Sequence, residues 1–439
     1  PTRSSMPKQK YIISPLEHGL ATEFPSIHIP GTWSPAMQNV KIEQHSLKKR
    51  WGYDVADRSL GATKSVYVIA VYQQSDGDRF TLYLTDTDLI QKETGASDTW
   101  SYKTRTYTTG LITNITGAVV TGNASALFQT AETAGTIAVG DYFILDTDHT
   151  ADQEEDTEWG TIASIDSETQ ITLSASYGGT TGAMSEAYKI RHPYSLPANG
   201  RWTWATVDDK FCFTNGSTNV QSWAGSGYAA DLNASVAIKA RYCIEYANRL
   251  FIADYGTTRD PYMVGWSKEG DPTDWTDSTA GSLAMLETED YITGLGKSGG
   301  NLLIYKRDNI HIYGRSGIAT SPIESAPGNQ VRGIGCVAPY SIVEVLGTNA
   351  FLGRDDFYFM EGDTPAHIGK ELVRYDFFNQ VSESELENVW GFVNTVANEV
   401  VWMATTTSGQ RGFAWNYINK EWSVYSFFNE IMGAGRGAV

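Results

Sequence analysis

The chain has 439 residues with 42 Gly, 24 Tyr and 13 Trp, only 19% charged residues and a formal net charge of −18. Richness in glycine and aromatics at low charge points to a β-protein with many turns and argues against a helical one. The acidity argues against binding duplex DNA by attraction, and the longest apolar runs, such as Val66 to Tyr72, are too short to cross a membrane.

The opening PTRSSMPKQK is short and basic, and no apolar run follows it. No signal peptide is therefore expected, a native start near Met6 is one reading, and the protein is expected to be soluble and made in a cytoplasm. Residues 1–60 show little strand periodicity and carry Pro15, Pro25, Pro30 and Pro35, which reads as an extended N-terminal arm. Ser34 is a capping residue and Pro35 suits a first helical position, so a short helix is expected around Pro35 to Val40. Farther along the arm, Lys48, Lys49 and Arg50 form a basic triplet. It is the candidate set of assembly contacts, and a solvated basic turn is the plain alternative.

Residues 61–107 read as a first blade-like unit. SVYVIAVYQ and RFTLYLTD are β-rich and are joined by a turn at Ser75 to Asp78. Residues 108–192 break the rhythm: they are rich in Thr, Gly and Ala and carry their own strands, ITGAVVTG, GTIAVGDYFILD, WGTIASIDS, TQITLSAS and AYKIRH. This segment reads as a small inserted β-barrel or sandwich domain.

From residue 193 to 439 one pattern recurs about every 40 to 50 residues, two short apolar strands and a polar turn ending near a Trp or Tyr. Examples run from Lys210 through Trp223, from Arg249 through Trp266, from Asn301 to Gly314, from Ala350 to Gly362, and from Glu399 to Asn416. One unit near 64–107 and five after 200 predict an all-β fold, a β-propeller of about six blades. The final EWSVYSFFNEIMGAGRGAV reads as the start of another unit. The strands near residue 65 are expected to pair with C-terminal ones, which would remove exposed sheet edges.

Candidate chemistry is sparse. Asp146 to Glu158 holds seven acids and one His and begins like a calcium loop. It then departs from that pattern, with Thr150 at the fifth position, Ala151 for the sharp-turn Gly and Thr157 for the bidentate Glu, and reads as a solvated hairpin tip. Gly296-Lys297-Ser298 resembles the end of a phosphate loop but has Tyr291 where the first Gly belongs, and it lies beside a strand. Gly333 and Gly335 read as a turn before a short segment. The carboxylate pairs Asp208-Asp209, Asp355-Asp356 and Glu269/Asp271 fall at turns, where nothing in one sequence sets them across a cleft. Ser267 to Trp275 loosely resembles the structural Asp-box turn of sialidase-type propellers, with Glu269 in place of the Asp.

The seven His are scattered, and Cys212, Cys243 and Cys336 sit apart in apolar contexts that suggest buried free thiols. The Trp and Tyr residues, including Trp266, Trp275, Trp402, Trp415 and Trp422, read as blade core. No metal, cofactor or catalytic residue is expected, and a non-enzymatic role follows.

Two regions go beyond a generic propeller. Ser14-PLEHGL, followed by Ala36, Asn39, Lys49, Arg50 and Gly52, resembles the opening of tailed-phage virion proteins. Phe213-TNGSTNVQSWAG, then Gly335-CVAPYS with Phe351, Leu352, Arg354, Asp355 and Tyr358, is similar to blades of the same proteins. The inserted segment, with Gly140, Asp141, Phe143, Trp159, Ile162, Ser164, Ile165, Ser167, Thr169, Ile171 and Leu173, resembles small barrels such proteins carry.

The resemblance is to the tail nozzle or tubular protein of short-tailed phages, over residues 11–60 and 200–370. It implies a structural virion protein in a ring of about six copies below the portal and adaptor, touching other tail proteins and passing genomic DNA without sequence-specific binding. An acidic lumen would repel phosphates, and residues 1–60 would tie a neighbour or the adaptor. The alternatives are a stopper, hub or receptor-binding tail component, and a carbohydrate-binding or glycan-hydrolysing propeller.

Overall fold

Runs of alternating and continuous apolar residues separated by Gly, Asp and Asn turns pair as short antiparallel strands. The computed structural model describes residues 20, 40–43, 46–49, 64–92, 100–148, 159–233, 238–325, 330–427 and 431–435. Strands make up 52% of the chain and helices 7%, and the fold is a six-bladed β-propeller.

Each blade is an antiparallel meander of four strands in chain order. Blade one holds Val66–Gln73, Arg79–Thr85, Leu89–Lys92 and Trp100–Tyr102; blade two holds Thr203–Val207, Lys210–Thr214, Gln221–Trp223 and Ala230–Asp231. Blade three holds Lys239–Tyr246, Arg249–Gly256, Asp260–Trp266 and Gly281–Ala284. Blade four holds Ile292–Ser298, Asn301–Lys306, Asn309–Ile318 and Ser321–Glu324, with Gln330–Arg332 also paired to its third strand. Blade five holds Val343–Val345, Thr348–Leu352, Phe357–Glu361 and Thr364–His367, and blade six holds Trp390–Asn394, Glu399–Thr406, Gly409–Asn416 and Glu421–Ser426. The first hairpin turns of blades two and three place Asp208, Asp209, Ala247 and Asn248 at φ between 46° and 57°. Two left-handed residues in a row are what a tight two-residue hairpin needs, and Asp and Asn accept that geometry more readily than Ala247 does.

The chain divides into two compact units, residues 1–54, 296–312 and 327–431, and residues 55–295, 313–326 and 432–439. In the second unit, blades one and two share an aromatic core in which Tyr72, Phe80, Phe211 and Trp223 lie with ring centroids 5.1 to 5.9 Å apart. Blades two and three share Val207, Cys212, Cys243, Leu250 and Ile252. In the first unit, Phe357 packs on Trp402 and Trp422 at 4.8 and 5.0 Å, and a short helix, Arg374–Gln380, adds Phe377 at 4.7 Å from Phe357. Such ring pairs add about 0.5–1.5 kcal/mol each beyond their burial.

Residues 106–191 form a separate sheet of eight strands. Its order is Gly182–Glu186, Ile112–Thr116, Val119–Gly122, Gln170–Leu173, Gly160–Ser167, Tyr142–Leu145, Tyr188–Arg191 and Thr106–Tyr107. Met184 and Tyr107, from the two edge strands, pack on the same core as Ile112, Phe143, Ile162, Ile171 and Tyr188. A flat sheet cannot bring its first and last strands to one core, so this sheet is strongly coiled. The stretch GTIAVGDYFILD forms a strand only from Tyr142, because the turns at Gly135 and Gly140 occupy its first half and the helix Phe128–Thr133 precedes it.

Two expectations change. Of the helix expected around Pro35 to Val40, only Val40 is among the described residues, and it opens a strand: Val40–Glu43 and Ser46–Lys49 pair antiparallel, with Val40 opposite Lys49 and Ile42 opposite Leu47. Val40, Ile42 and Leu47 supply the alternation, which a proline-based helix start obscures; residues 35–39 lie outside the described residues. Leu20, buried at 2% exposure, donates its backbone N–H to Trp422 O at 3.2 Å on blade six of its own chain.

The second change is at the C-terminal end. Glu421–Ser426 is the outer strand of blade six and does not begin another unit. The expected pairing of the strands near residue 65 with C-terminal residues is present: Ala434–Gly435 runs parallel to Val66–Gln73, with Val68 opposite Ala434 and Ile69 opposite Gly435. Arg201 donates from its guanidinium to Met432 O at the same place. A Cβ added to Gly433 would collide with the backbone of Tyr67. Gly433→Ala is therefore expected to cost about 1–3 kcal/mol, seen as a lower midpoint in urea unfolding with an unchanged slope.

Candidate functional site

Many of the charged and polar groups singled out in the sequence lie at turns, where hydrogen bonds within the chain hold them. Asp146 and Asp148 sit on a single turn of 3-10 helix, and the rest of that loop, to Glu158, lies outside the described residues. Asp148 accepts hydrogen bonds from Tyr177 Oη at 2.9 Å and from Thr180 N and Oγ1 at 2.9 and 2.7 Å. Its oxygens thus brace a turn. Among the described residues no group of three or more His, Cys, Asp or Glu side chains is placed to hold a metal ion.

Gly296-Lys297-Ser298 is the end of the strand Ile292–Ser298 and does not open a helix, and Ser298 Oγ lies 2.8 Å from Thr348 Oγ1. In the segment Ser267 to Trp275, Asp271 accepts from Thr273 N and Oγ1 at 3.0 and 2.7 Å, and Trp275 Nε1 donates to Pro272 O at 2.8 Å. This is a self-bonded turn between the third and fourth strands of blade three.

Among the carboxylate pairs, Asp209 accepts from Ser75 N at 2.8 Å and from the Ser75 hydroxyl, joining the first turns of blades one and two. Asp208 is exposed, 3.8 Å from Lys210 Nζ. Asp355 accepts from Tyr358 Oη at 2.7 Å. Asp356 is fully buried and lies 2.9 Å from His367 Nδ1. Burial pushes the Asp356 carboxyl up, and His367 only partly opposes this. Among the described residues the side chain of His367 meets Asp356 and, at 4.6 Å, the Tyr358 ring. A carboxylate that orients an imidazole is two-thirds of a nucleophilic triad, and among the described residues no Ser, Thr or Cys side chain is paired with His367. His192 and Asp141 repeat the pair at 3.0 Å in the inserted domain, where Asp141 also accepts from Ala138 N at 2.7 Å.

Lys48 and Lys49 occupy the second strand of the hairpin at 40–49, opposite Lys41 and Val40. Arg50 lies outside the described residues. Trp402, Trp415 and Trp422 are buried in the first unit, and Trp266 is 6% exposed.

Three further arrangements are present, of which only the buried thiols were expected from the sequence. The first joins the inserted domain to blade one. Arg191, on the last long strand of the insert, stands 3.9 Å from the Tyr102 ring and 4.6 Å from the Trp159 ring, with Nε 3.3 Å from Asp88 Oδ1. Asp88 is 1% exposed and also takes Lys64 Nζ at 2.5 Å, Thr87 Oγ1 at 2.7 Å and Thr104 Oγ1 at 3.0 Å. Burial alone would raise this carboxyl, but Arg191 and Lys64 outweigh it and hold it below the usual range.

The second is the thiol set. Cys212, Cys243 and Cys336 are free and buried, and burial pushes Cys243 and Cys336 up to about 12 and Cys212 higher still. The third is a cleft of about 260 Å³ over blades three and four, lined by Ala247, Arg249, Glu269, Arg315, Ile318 and Pro322 among others. Here Arg249 donates from Nη1 to Ser267 O and Thr279 O at 2.8 and 2.9 Å and from Nη2 to Ala319 O at 3.1 Å, with Glu269 Oε2 3.5 Å away.

No protein-family model and no curated protein matches the chain. Among solved structures it is similar to the computationally designed Ika8 protein, at 11% identity over 82% of this chain and 86% of that one, with a TM-score of 0.34. Hsv2 of Kluyveromyces lactis matches at 8% identity over 82% and 97%, TM-score 0.32. The endosialidase of phage phi92 matches at 10% identity over 78% and 52%, TM-score 0.23. None of these likenesses speaks to function.

Two outcomes follow from the site geometry. Because the folded pKa of Asp88 lies below its unfolded value of about 3.9, its contribution is full above that pH and is lost as pH falls through the folded value. Asp88→Asn is expected to cost about 3–5 kcal/mol near neutrality by leaving Arg191 and Lys64 uncompensated. The gap from the parent protein should narrow below about pH 4, as read by urea unfolding across pH. The three thiols should resist a thiol-specific disulfide reagent at pH 8 in the folded protein and all react once it is unfolded in urea.

Proposed function

We propose that this protein is a structural wall component of a short-tailed phage tail, the nozzle below the portal and adaptor, acting without catalysis. The observation that carries the reading is where the ionisable groups go. Asp88, Asp148, Asp209, Asp271 and Asp356 each brace a turn or a junction of the scaffold. A chain whose polar side chains hold blades, turns and an inserted domain together is suited to bearing load.

The sequence patterns at residues 11–60 and 200–370 support the phage assignment. The excess of acids, 51 Asp and Glu against 33 Lys and Arg, supports a wall along which phosphates slide and do not stick. Lys48, Lys49 and Arg50 are the proposed contacts to a neighbouring copy or the adaptor.

Mixing the full chain with a portal–adaptor assembly from a short-tailed phage and imaging by electron cryomicroscopy tests this reading. A ring of about six copies seated on the adaptor is expected. Charge reversal at Lys48 and Lys49 to Glu should slow ring assembly, and added salt should slow assembly of the parent protein in the same way. Duplex DNA should show no retention by the protein even at about 50 mM salt. Single copies only, with no ring on the adaptor, would overturn the nozzle; turnover of glycans on an array would move the protein to the carbohydrate-active class.

A further inference from the structure

The cleft over blades three and four has a composition that the scaffold reading does not use. Its floor is Arg249, 1% exposed, whose guanidinium is fixed by three backbone carbonyls from two segments of blade three and one turn of blade four. Carbonyls orient a guanidinium but do not neutralise it. Glu269, 3.5 Å away and 59% exposed, answers that charge, with Asp277 adding to it from farther off. The Glu269 carboxylate is thereby held at the edge of the cleft with acceptor capacity still facing solvent.

Arg315 lines the same cleft from the third strand of blade four and is exposed. Among the described residues no carboxylate lies within ion-pair distance of it, in a chain with a net charge of −18. Ile318, at 59% exposure, and the buried Pro322 add an apolar surface to the lining. Its backbone is set by the turn around Gly317, where φ is 74°. The cleft thus presents one uncommitted cation, one anchored acceptor and one apolar wall within a single small volume.

We propose that this cleft binds a sugar acid, one carboxylate-bearing monosaccharide unit. Arg315 takes the carboxylate by paired N–H donors, the geometry in which arginine exceeds lysine. Glu269 accepts from ring hydroxyls, and Ile318 covers the C–H face of the ring. The volume of about 260 Å³ lies just under the range of roughly 300–1,000 Å³ typical of drug-sized ligands, which suits one ring and not a chain buried end to end. The proposal stands on blades three and four and holds whether or not the protein forms a tail ring.

Saturation-transfer NMR and calorimetry on the full chain, with glucuronic acid, glucose and inorganic phosphate as probes, test it. Glucuronic acid is expected to bind near about 1 mM, with glucose and phosphate each about tenfold weaker or more. Arg315→Ala, an exposed position whose loss should leave the unfolding midpoint in place, is expected to weaken glucuronic acid about tenfold and leave the weak glucose signal unchanged. Ile318→Ser should weaken both sugars.

No transfer to glucuronic acid at about 10 mM would overturn the site. Equal binding of glucose, or unchanged binding in Arg315→Ala, would remove the carboxylate from the proposal and so overturn it. Phosphate matching glucuronic acid would make this a bare anion site, which also overturns it.

Discussion

Burial of the second strand on both of its faces is the constraint on which the structure depends. Arg249–Gly256 has six consecutive buried residues, Thr348–Leu352 five, and Glu399–Thr406 six before its first exposed position. A lone four-stranded sheet cannot hide both faces, so each such strand needs a neighbouring sheet on either side. Phe211 and Phe213, two positions apart on one strand, join the aromatic core shared by blades one and two, while Cys212 between them joins the core shared by blades two and three. One residue of slip would reverse those assignments, which is why the repeat tolerates so little freedom in its strands.

That constraint explains where the polar chemistry lies. With strand interiors given over to packing, ionisable side chains are left to turns and blade edges, where local backbone donors capture most of them. Asp271, Asp209 and Asp148 are examples, each bonded to a Ser or Thr hydroxyl and a backbone N–H. Where a charge is buried, as at Asp88 or Arg249, it is surrounded by several donors or acceptors. Arg315 departs from this pattern, since it is an exposed strand cation without an ion-pair partner among the described residues.

Legibility followed the range of the interaction. The hairpin at Ser75 to Asp78 and the strands around it depend on neighbours in sequence and could be read directly. The hairpin at 40–49 was hidden because Ser34 and Pro35, a local helix signal, sit just upstream of Val40, Ile42 and Leu47. The cleft was hidden for a different reason: Arg249, Glu269 and Arg315 come from three separate turns or strands spread over some 65 positions, and no spacing rule links them.

The sequence by itself determined the class of fold and the approximate number of repeats. Strand periodicity, turn residues and a repeat length are local properties, and each copy of the pattern declares itself. Tertiary structure decided the rest. It placed Ala434 and Gly435 beside Val68 and Ile69, and it set Arg191 of the insert against Asp88 and Tyr102 of blade one. It also brought two arginines and a glutamate around one cleft. Those contacts join residues tens to hundreds of positions apart, and their energy depends on distance, burial and orientation in space, quantities that a linear order of side chains does not contain.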